Sequence, residues 1–346
     1  MSIFKKFFKN IIHDRDPDDN TATVKGKPKP KYYGTVTPYP NFNASSDASV
    51  LQSAIESKGV DEDVIISVLV KRNNEQRQKI RVVYEASTGK KLDEDLKGAL
   101  RSDLEDVSLA LLMTPAQFDA FQLRKATKGL GTDEDVLVEI LATRSNQEIC
   151  EIKRVFKKEY KEELEDVIVS ETSGDFTEAL LAMLKANKNE STELDMALAQ
   201  RDAETLFESG ENTAGTNVSA FIDILTSRGG PQLSKTFEYY ASVSDITLPK
   251  ALEMELKGDI EDCLIDIVKS AWNMPAFFAE KLHLAMKGYG TCEATLIRVL
   301  VSRSEVDLKK ILDQYRAMYN TSVQEQILEE TKGHYQQVLL GLCGPH

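Results

Sequence analysis

The stretch KGLGTDEDVLVEILATRS, at residues 128–145, decides the fold. Two glycines flank one apolar residue, and apolar residues then recur at the spacing of one helix face. Gly129 can end the preceding helix in a left-handed conformation, and Thr132 can cap the next helix with Asp135 at its third position. Taken alone, the stretch predicts two helices joined by a tight turn.

The pattern occurs four times along the chain. Related stretches begin near residues 58, 210 and 287, and each closes on an arginine, at Arg72, Arg228 and Arg303. A repeat of roughly 70–80 residues has room for about five short helices. Strand patterns of period two are scarce, so the sequence predicts an all-α fold of four repeats. We expect a tail and linker at 1–41 and the repeats at 42–115, 116–190, 191–274 and 275–346.

Composition excludes several classes of protein. The net charge of −13 predicts repulsion from nucleic acid and from anionic membranes unless a cation intervenes. The four cysteines form no CxxC pair, so neither a disulfide scaffold nor a zinc site is indicated. The apolar run VIISVLV (64–70) is too short to span a membrane. No nucleophile elbow or paired-acid motif is present, so we expect no enzyme.

A second marker accompanies the glycine turn. A glutamate lies 40 residues after the second glycine in three repeats, in the pairs Gly131 with Glu171, Gly215 with Glu255, and Gly290 with Glu330. Exposed backbone carbonyls and one bidentate carboxylate make the all-oxygen shell that Ca²⁺ prefers. The alternative is a calcium-independent helical scaffold whose glycine turns are only helix caps. P-loop and EF-hand patterns do not match these stretches.

These motifs resemble the annexin family over residues 42–346, and stretches such as TPYPNFN, ELKGDIE and TKGHY are similar to its lipocortin-one type. The resemblance implies four five-helix repeats in a curved disc with calcium loops on one face. It implies monomers that bind anionic phospholipid membranes with calcium, and inhibition of phospholipase A2 with inflammatory, vesicle-traffic or membrane-repair roles. It also implies a cytoplasmic protein recruited to plasma, endosomal or vesicle membranes, with nuclear or extracellular pools.

The family's calcium ligands can be carried over residue by residue. In repeats 2 to 4 the resemblance implies the ligands Thr127, Gly129, Gly131 and Glu171; Gly210, Thr213, Gly215 and Glu255; and Met286, Gly288, Gly290 and Glu330. Repeat 1 departs, because Asp61 replaces the second glycine and Ala99 stands at the glutamate position. Weaker sites are expected at Gly59, Val60 and Glu62; at Lys97, Leu100 and Glu105; at Thr132 and Glu134; and at Glu253 and Leu256.

Two further features favour contact with membranes or partners. Leu130 and Tyr289 lie between the paired glycines, where they can enter a lipid interface, and Lys128 and Lys287 can reach headgroup phosphates. Residues 1–31 carry a net charge of +4, which leaves −17 on the rest. An apolar stripe along 1–12 predicts a helix that lies on a membrane or fills a partner's groove, and it comprises Ile3, Phe4, Phe7, Phe8, Ile11 and Ile12. The family implies a small dimeric EF-hand protein as that partner.

Overall fold

A computed structural model describes residues 31–212 and 214–345. Within these residues every regular element is an α-helix, and the helices number twenty. The all-α prediction is therefore confirmed. The apolar stripe at 3–12 and the candidate ligand Thr213 lie outside the described residues.

The helices fall into four groups of five, one for each repeat. Repeat 1 comprises α1 (Ala44–Glu56), α2 (Glu62–Val70), α3 (Asn74–Thr88), α4 (Leu92–Ala99) and α5 (Ser102–Leu112). Repeat 2 comprises α6 (Pro115–Thr127), α7 (Glu134–Thr143), α8 (Asn146–Tyr160), α9 (Leu164–Glu171) and α10 (Gly174–Leu184). Repeat 3 comprises α11 (Met196–Ser209), α12 (Val218–Ser227), α13 (Gly230–Val243), α14 (Leu248–Glu255) and α15 (Asp259–Trp272). Repeat 4 comprises α16 (Met274–Met286), α17 (Glu293–Arg303), α18 (Leu308–Tyr319), α19 (Val323–Glu330) and α20 (Gly333–Leu342).

Local capping explains where the helices begin and end. Helix α8 begins with a capping box, in which the Ser145 side chain and the Glu148 backbone N–H pair while the Glu148 carboxylate accepts from the Ser145 N–H. Helix α3 begins in the same way at Asn73 and ends at Gly89, whose φ of 71° is left-handed. Such caps satisfy backbone groups that would otherwise lack partners, and they fix short helices that are marginal in isolation.

The described residues divide into two compact units, residues 119–277 (the central unit) and residues 31–118 with 278–345 (the terminal unit). In the central unit, α11 packs on α13, and α15 packs on α7, α12 and α13. Phe156, Phe221 and Tyr240 are among its fully buried side chains. In the terminal unit, α1 packs on α3, while α20 packs on α2 and α5.

The arginine that closes the second helix of each repeat forms an ion pair with an aspartate of the same repeat. Arg144 donates to both carboxylate oxygens of Asp119, each over 2.9 Å. The pairs Arg72 with Asp47 and Arg228 with Asp202 repeat this fork. Each fork ties the second helix of a repeat to the first, because the aspartates lie in or at the start of α1, α6 and α11.

In repeat 4 the closing arginine, Arg303, has different partners. Phe278 stands where the other repeats have aspartate, and the Arg303 guanidinium carbon lies 4.5 Å from the centre of its ring. The carboxylate comes instead from Asp307, which accepts from Arg303 over 2.7 and 2.8 Å. The closing arginine is therefore present in all four repeats, but in repeat 4 its carboxylate partner comes from a different place in the repeat.

The last part of the predicted linker lies against the terminal unit. The N–H groups of Thr35 and Val36 both donate to the Ser304 carbonyl, over 2.8 and 3.1 Å. Gly34 is buried there, and a Cβ on it would lie 2.8 Å from the same oxygen. A truncation intended to remove only the tail should therefore stop before residue 32.

Candidate functional site

The glycine turn of repeat 2 is an exposed loop between α6 and α7. Gly129 and Gly131 have φ values of 107° and 88°, which L side chains rarely adopt. The helix cap differs from the sequence prediction, because Asp133 rather than Thr132 caps α7, by accepting from the Val136 N–H. Thr132 is thus released from capping, and its hydroxyl is available to the loop.

The hydroxyl of that threonine reaches the distant glutamate. Thr132 Oγ1 donates to the Glu171 carbonyl over 3.3 Å and lies 3.5 Å from its Oε2. In the other glutamate-bearing repeats the threonine donates to the carboxylate itself, from Thr216 to Glu255 Oε2 over 2.6 Å and from Thr291 to Glu330 Oε2 over 3.2 Å. The structure therefore brings the glycine loop and the carboxylate forty residues on into one site, three times.

The loop carbonyls in repeats 2 and 4 lack donors from the protein. Within residues 31–212 and 214–345, nothing donates to the carbonyl oxygens of Gly129, Gly131, Gly288 or Gly290. No cluster of three or more His, Cys, Asp and Glu side chains suited to a metal occurs in this described part. Unpaired carbonyls beside one carboxylate fit a hard cation with oxygen ligands, so the residues present are suited to Ca²⁺.

Repeat 1 has a different loop, and its alignment needs correction. The Asp61 N–H donates to the Ala54 carbonyl seven residues earlier, as the Asp133 N–H does to that of Ala126. Asp61 is therefore the helix cap of α2, and Gly59 rather than Asp61 corresponds to the second glycine. The Gly59 carbonyl accepts from Ser57 Oγ over 3.2 Å, and the Val60 carbonyl accepts from the Glu62 N–H over 3.2 Å.

The loop of repeat 3 is one residue longer than that of repeat 2. The Asn217 N–H donates to the Ser209 carbonyl, eight residues earlier. Counted back from this cap, Glu211 stands at the position of Thr127, whereas counted forward from the acceptor Ser209 that position is Gly210, the predicted ligand. Gly210 is buried at the end of α11, and a Cβ on it would lie 3.1 Å from the Phe221 ring.

The predicted lipid-contacting side chains project from the loops. Leu130 and Tyr289 have relative exposures of 108% and 111%, and no other large hydrophobic side chains of the described residues are as exposed. Lys128 and Lys287 beside them are also exposed. Thr127 and Met286, in contrast, are buried last residues of α6 and α16, so only their backbone oxygens can serve a ligand role.

The turns between the fourth and fifth helices hold the remaining predicted ligands. The carbonyls of Lys97 and Leu100 accept from the Arg101 guanidinium over 3.5 and 2.8 Å. The Glu253 carbonyl accepts from Lys257 Nζ over 2.9 Å. Glu105, Glu134 and Leu256 are half-buried or buried residues beside these turns and loops.

Several carboxylates of the terminal unit lie close to the candidate site of repeat 4. Burial, followed by the charges of Asp103 and Glu330, raises the pKa of Glu293, the first residue of α17. Burial and the charge of Asp106 raise the pKa of Asp103. The repulsion between these carboxylates is relieved by protons or by a bound cation.

The architecture defines a class: a four-repeat, all-helical protein that carries glycine loops paired with distant glutamates. The family model described as Annexin matches residues 46–111, 118–183, 201–267 and 277–342. The chain is 51% identical to human (Homo sapiens) annexin A1 over 345 residues, and 54% identical to rat (Rattus norvegicus) annexin A1 over 344, with 99% of each chain covered. A solved structure of annexin III superposes with a TM-score of 0.90 at 44% identity, over 91% of this chain and 98% of that one.

The chain therefore belongs to the annexin family, and among its members it is similar to annexin A1. Annexins are non-enzymatic proteins that bind calcium and phospholipid, and the prediction of this general class is confirmed. Among the described residues, the helices are all too short or too polar to cross a membrane.

Proposed function

We propose that the chain binds anionic phospholipid membranes in a calcium-dependent manner, through the glycine loops of repeats 2, 3 and 4. The observation that carries the proposal is the threefold contact between a loop threonine and its glutamate, at Thr132, Thr216 and Thr291. Loop carbonyls and the glutamate carboxylate would hold Ca²⁺, which supplies positive charge and open coordination positions for lipid phosphate. Ca²⁺-bound forms are known for a related annexin, (Sm)1, at 30% identity.

Charge explains why a cation is required. The chain carries a net charge of −13, so its approach to an anionic bilayer is unfavourable without one. Once a loop is at the surface, the exposed side chains Leu130 and Tyr289 can enter the interface, and Lys128 and Lys287 can meet phosphates. Several weak sites acting together make binding steep in calcium concentration.

The test is co-sedimentation with phosphatidylserine vesicles across a calcium titration. A variant with Glu171, Glu255 and Glu330 changed to Gln should fail to pellet at calcium concentrations that pellet the natural chain. A control with Glu75, Glu85 and Glu159 changed to Gln loses the same charge at exposed positions on the third helices of repeats 1 and 2, and it should pellet normally. Retained binding in the first variant would establish the calcium-independent scaffold instead.

We propose a separate role for the basic tail in bridging membranes. Residues 1–31 carry a net charge of +4 and an apolar stripe, which suits them to a second bilayer or to the groove of an EF-hand dimer. A chain that begins at residue 31 keeps the contacts of Thr35 and Val36 with Ser304. It should pellet with calcium as before but lose the rise in turbidity that reports vesicle aggregation; full aggregation by this chain would exclude the role.

Inhibition of phospholipase A2 follows from the same proposal if the protein covers the substrate lipid. The inhibition should then disappear when vesicles are added in excess over protein. Inhibition that persists at high lipid would indicate direct contact with the enzyme.

A further inference from the structure

The four turns between the fourth and fifth helices share one backbone feature. Each has a left-handed residue at the same position, with φ values of 54° at Ser102, 64° at Gly174, 80° at Gly258 and 68° at Gly333. This position fixes the equivalence of the carbonyls around it. Lys97 in repeat 1 corresponds to Glu253 and Leu328, and Leu100 corresponds to Leu256 and Thr331.

In repeat 1 a guanidinium occupies these carbonyls. Arg101 Nη1 lies 3.5 Å from the Lys97 oxygen, 3.0 Å from the Gly98 oxygen and 2.8 Å from the Leu100 oxygen. Three carbonyls therefore converge on one positively charged donor, which is the arrangement that a bound cation would otherwise have there.

Repeats 3 and 4 fill the equivalent carbonyls by other means. Lys257, the counterpart of Arg101, places its ammonium 2.9 Å from the Glu253 oxygen. In repeat 4 the amide of Gln336 donates to Thr331 over 2.5 Å and lies 3.4 Å from the Leu328 oxygen. Gln336 is the counterpart of Glu105, so a potential carboxylate ligand is there an uncharged donor.

We infer that Arg101 is the resident cation of the repeat 1 turn, and that this turn, at Lys97, Leu100 and Glu105, takes no calcium in the natural chain. Ca²⁺ needs six to eight oxygens at about 2.3–2.6 Å, and it cannot share carbonyls with a guanidinium that repels it. The residues present thus disagree with a minor calcium site of the kind that the family resemblance implies. The inference rests on the proposed function for the glycine loops and limits which turns take part.

Repeat 2 supplies the substitution that tests this idea. Its turn carries the uncharged Ser173 where repeat 1 carries Arg101. Changing Arg101→Ser leaves the Lys97 and Leu100 carbonyls and the Glu105 carboxylate in place without the guanidinium. Arg101 is exposed, so the variant should fold normally.

The experiment counts calcium ions bound per full-length chain by equilibrium dialysis with radiolabelled calcium and phosphatidylserine vesicles. Arg101→Ser should add one ion to the count, and Glu105→Gln introduced into that variant should remove the added ion. The control Lys79→Ser, which removes the same charge from an exposed position of repeat 1, should leave the count unchanged.

Two results would overturn the inference. The first is an Arg101→Ser variant with an unchanged count, and the second is a loss of one ion when Glu105→Gln is made in the natural chain. Failure of the proposed function is a separate result, since the natural chain would then bind no calcium at all. A gain of one ion in Arg101→Ser would still support the assignment of this turn in that case.

Discussion

The buried arginine forks of the central unit allow a quantitative prediction about stability. Arg144 and Asp119 have side-chain exposures of only 2% and 6%, and their fork is bidentate. The fork of repeat 3 is more open, because the Arg228 side chain is 28% exposed while that of Asp202 is 6% exposed. The change to Asn at each aspartate removes the negative charge but keeps one acceptor oxygen, so it isolates the effect of leaving an arginine without its counterion.

The magnitude follows from how much water each arginine can recruit. Asp119→Asn leaves a buried positive charge without its hydrogen-bonded carboxylate, and breaking a buried ion pair in this way typically destabilises by about 3–5 kcal/mol. Asp202→Asn leaves a guanidinium that solvent already reaches, so the loss should resemble that of a charged hydrogen bond, about 1.5–3 kcal/mol. The neighbouring carboxylates also favour Arg144 as a cation, since Asp119, Glu139 and Glu148 raise its pKa against the effect of burial.

The chain offers a local probe for this measurement. Trp272 is its single tryptophan, and it ends α15 in the central unit with its ring centre 6.3 Å from that of Phe237. Urea unfolding followed by tryptophan fluorescence therefore reports the central unit even if the two units unfold separately. The control Asp223→Asn changes an exposed aspartate in the same unit and should alter the free energy of unfolding by less than about 0.5 kcal/mol.

The ordering of the variants decides the outcome. The expected order of destabilisation is Asp119→Asn, then Asp202→Asn, then Asp223→Asn, with the urea dependence of the unfolding free energy unchanged. A loss for Asp202→Asn that equals or exceeds the loss for Asp119→Asn would refute the reasoning from burial. So would an Asp119→Asn variant as stable as the exposed control.

Three further predictions concern the loops. Thr291→Val removes the hydrogen bond to Glu330, and the calcium concentration for half-maximal vesicle binding should rise about fivefold, as expected for one hydrogen bond of about 1 kcal/mol. Leu130→Ser with Tyr289→Ser should weaken vesicle binding about tenfold at fixed calcium while the melting temperature stays unchanged, because both side chains are fully exposed. Glu293 has a raised pKa in the fold, so its contribution to stability is present at acid pH and lost as pH rises; Glu293→Gln should raise the melting temperature at pH 7 and leave it unchanged below the ordinary glutamate pKa of about 4.3.

Spacing in the sequence predicts the candidate site correctly where the helices and loops of two repeats have the same lengths. The interval of 40 residues between Gly131 and Glu171 has structural meaning because the same helices separate them in each repeat, and the loop threonine joins them in the fold. The same reasoning fails where the loop length changes. The extra residue before Asn217 shifts the count in repeat 3. In repeat 1 the loop has the same length as in repeat 2, but the motif letters place the second glycine two residues too late, and the cap hydrogen bond of Asp61 shows this.

Residue spacing could not predict which groups a long side chain contacts. The composition of the repeat 1 turn, with Lys97, Leu100 and Glu105, suggests a calcium site as long as Arg101 is treated as an exposed charge. A long, flexible guanidinium can turn back onto the carbonyls of its own turn, and whether it does so depends on the local rotamer and on the left-handed residue Ser102 that follows it. Neither the rotamer nor the backbone conformation can be read from a repeating pattern in the sequence.

The two exceptions among the repeats have a common physical basis. Repeat 4 keeps its closing arginine but replaces the aspartate by Phe278 and finds a carboxylate at Asp307, so the core remains neutralised. Repeat 1 keeps the carbonyls of its turn but supplies its own cation at Arg101. In both cases the repeats share the same backbone positions for the charged or polar group that needs a partner. The side chain that supplies the partner differs from one repeat to another. A turn whose carbonyls are balanced within the chain needs no ion from solution, whereas the glycine loops of repeats 2 and 4 leave their carbonyls without a protein donor beside a glutamate, and this difference supports the calcium sites proposed for those loops.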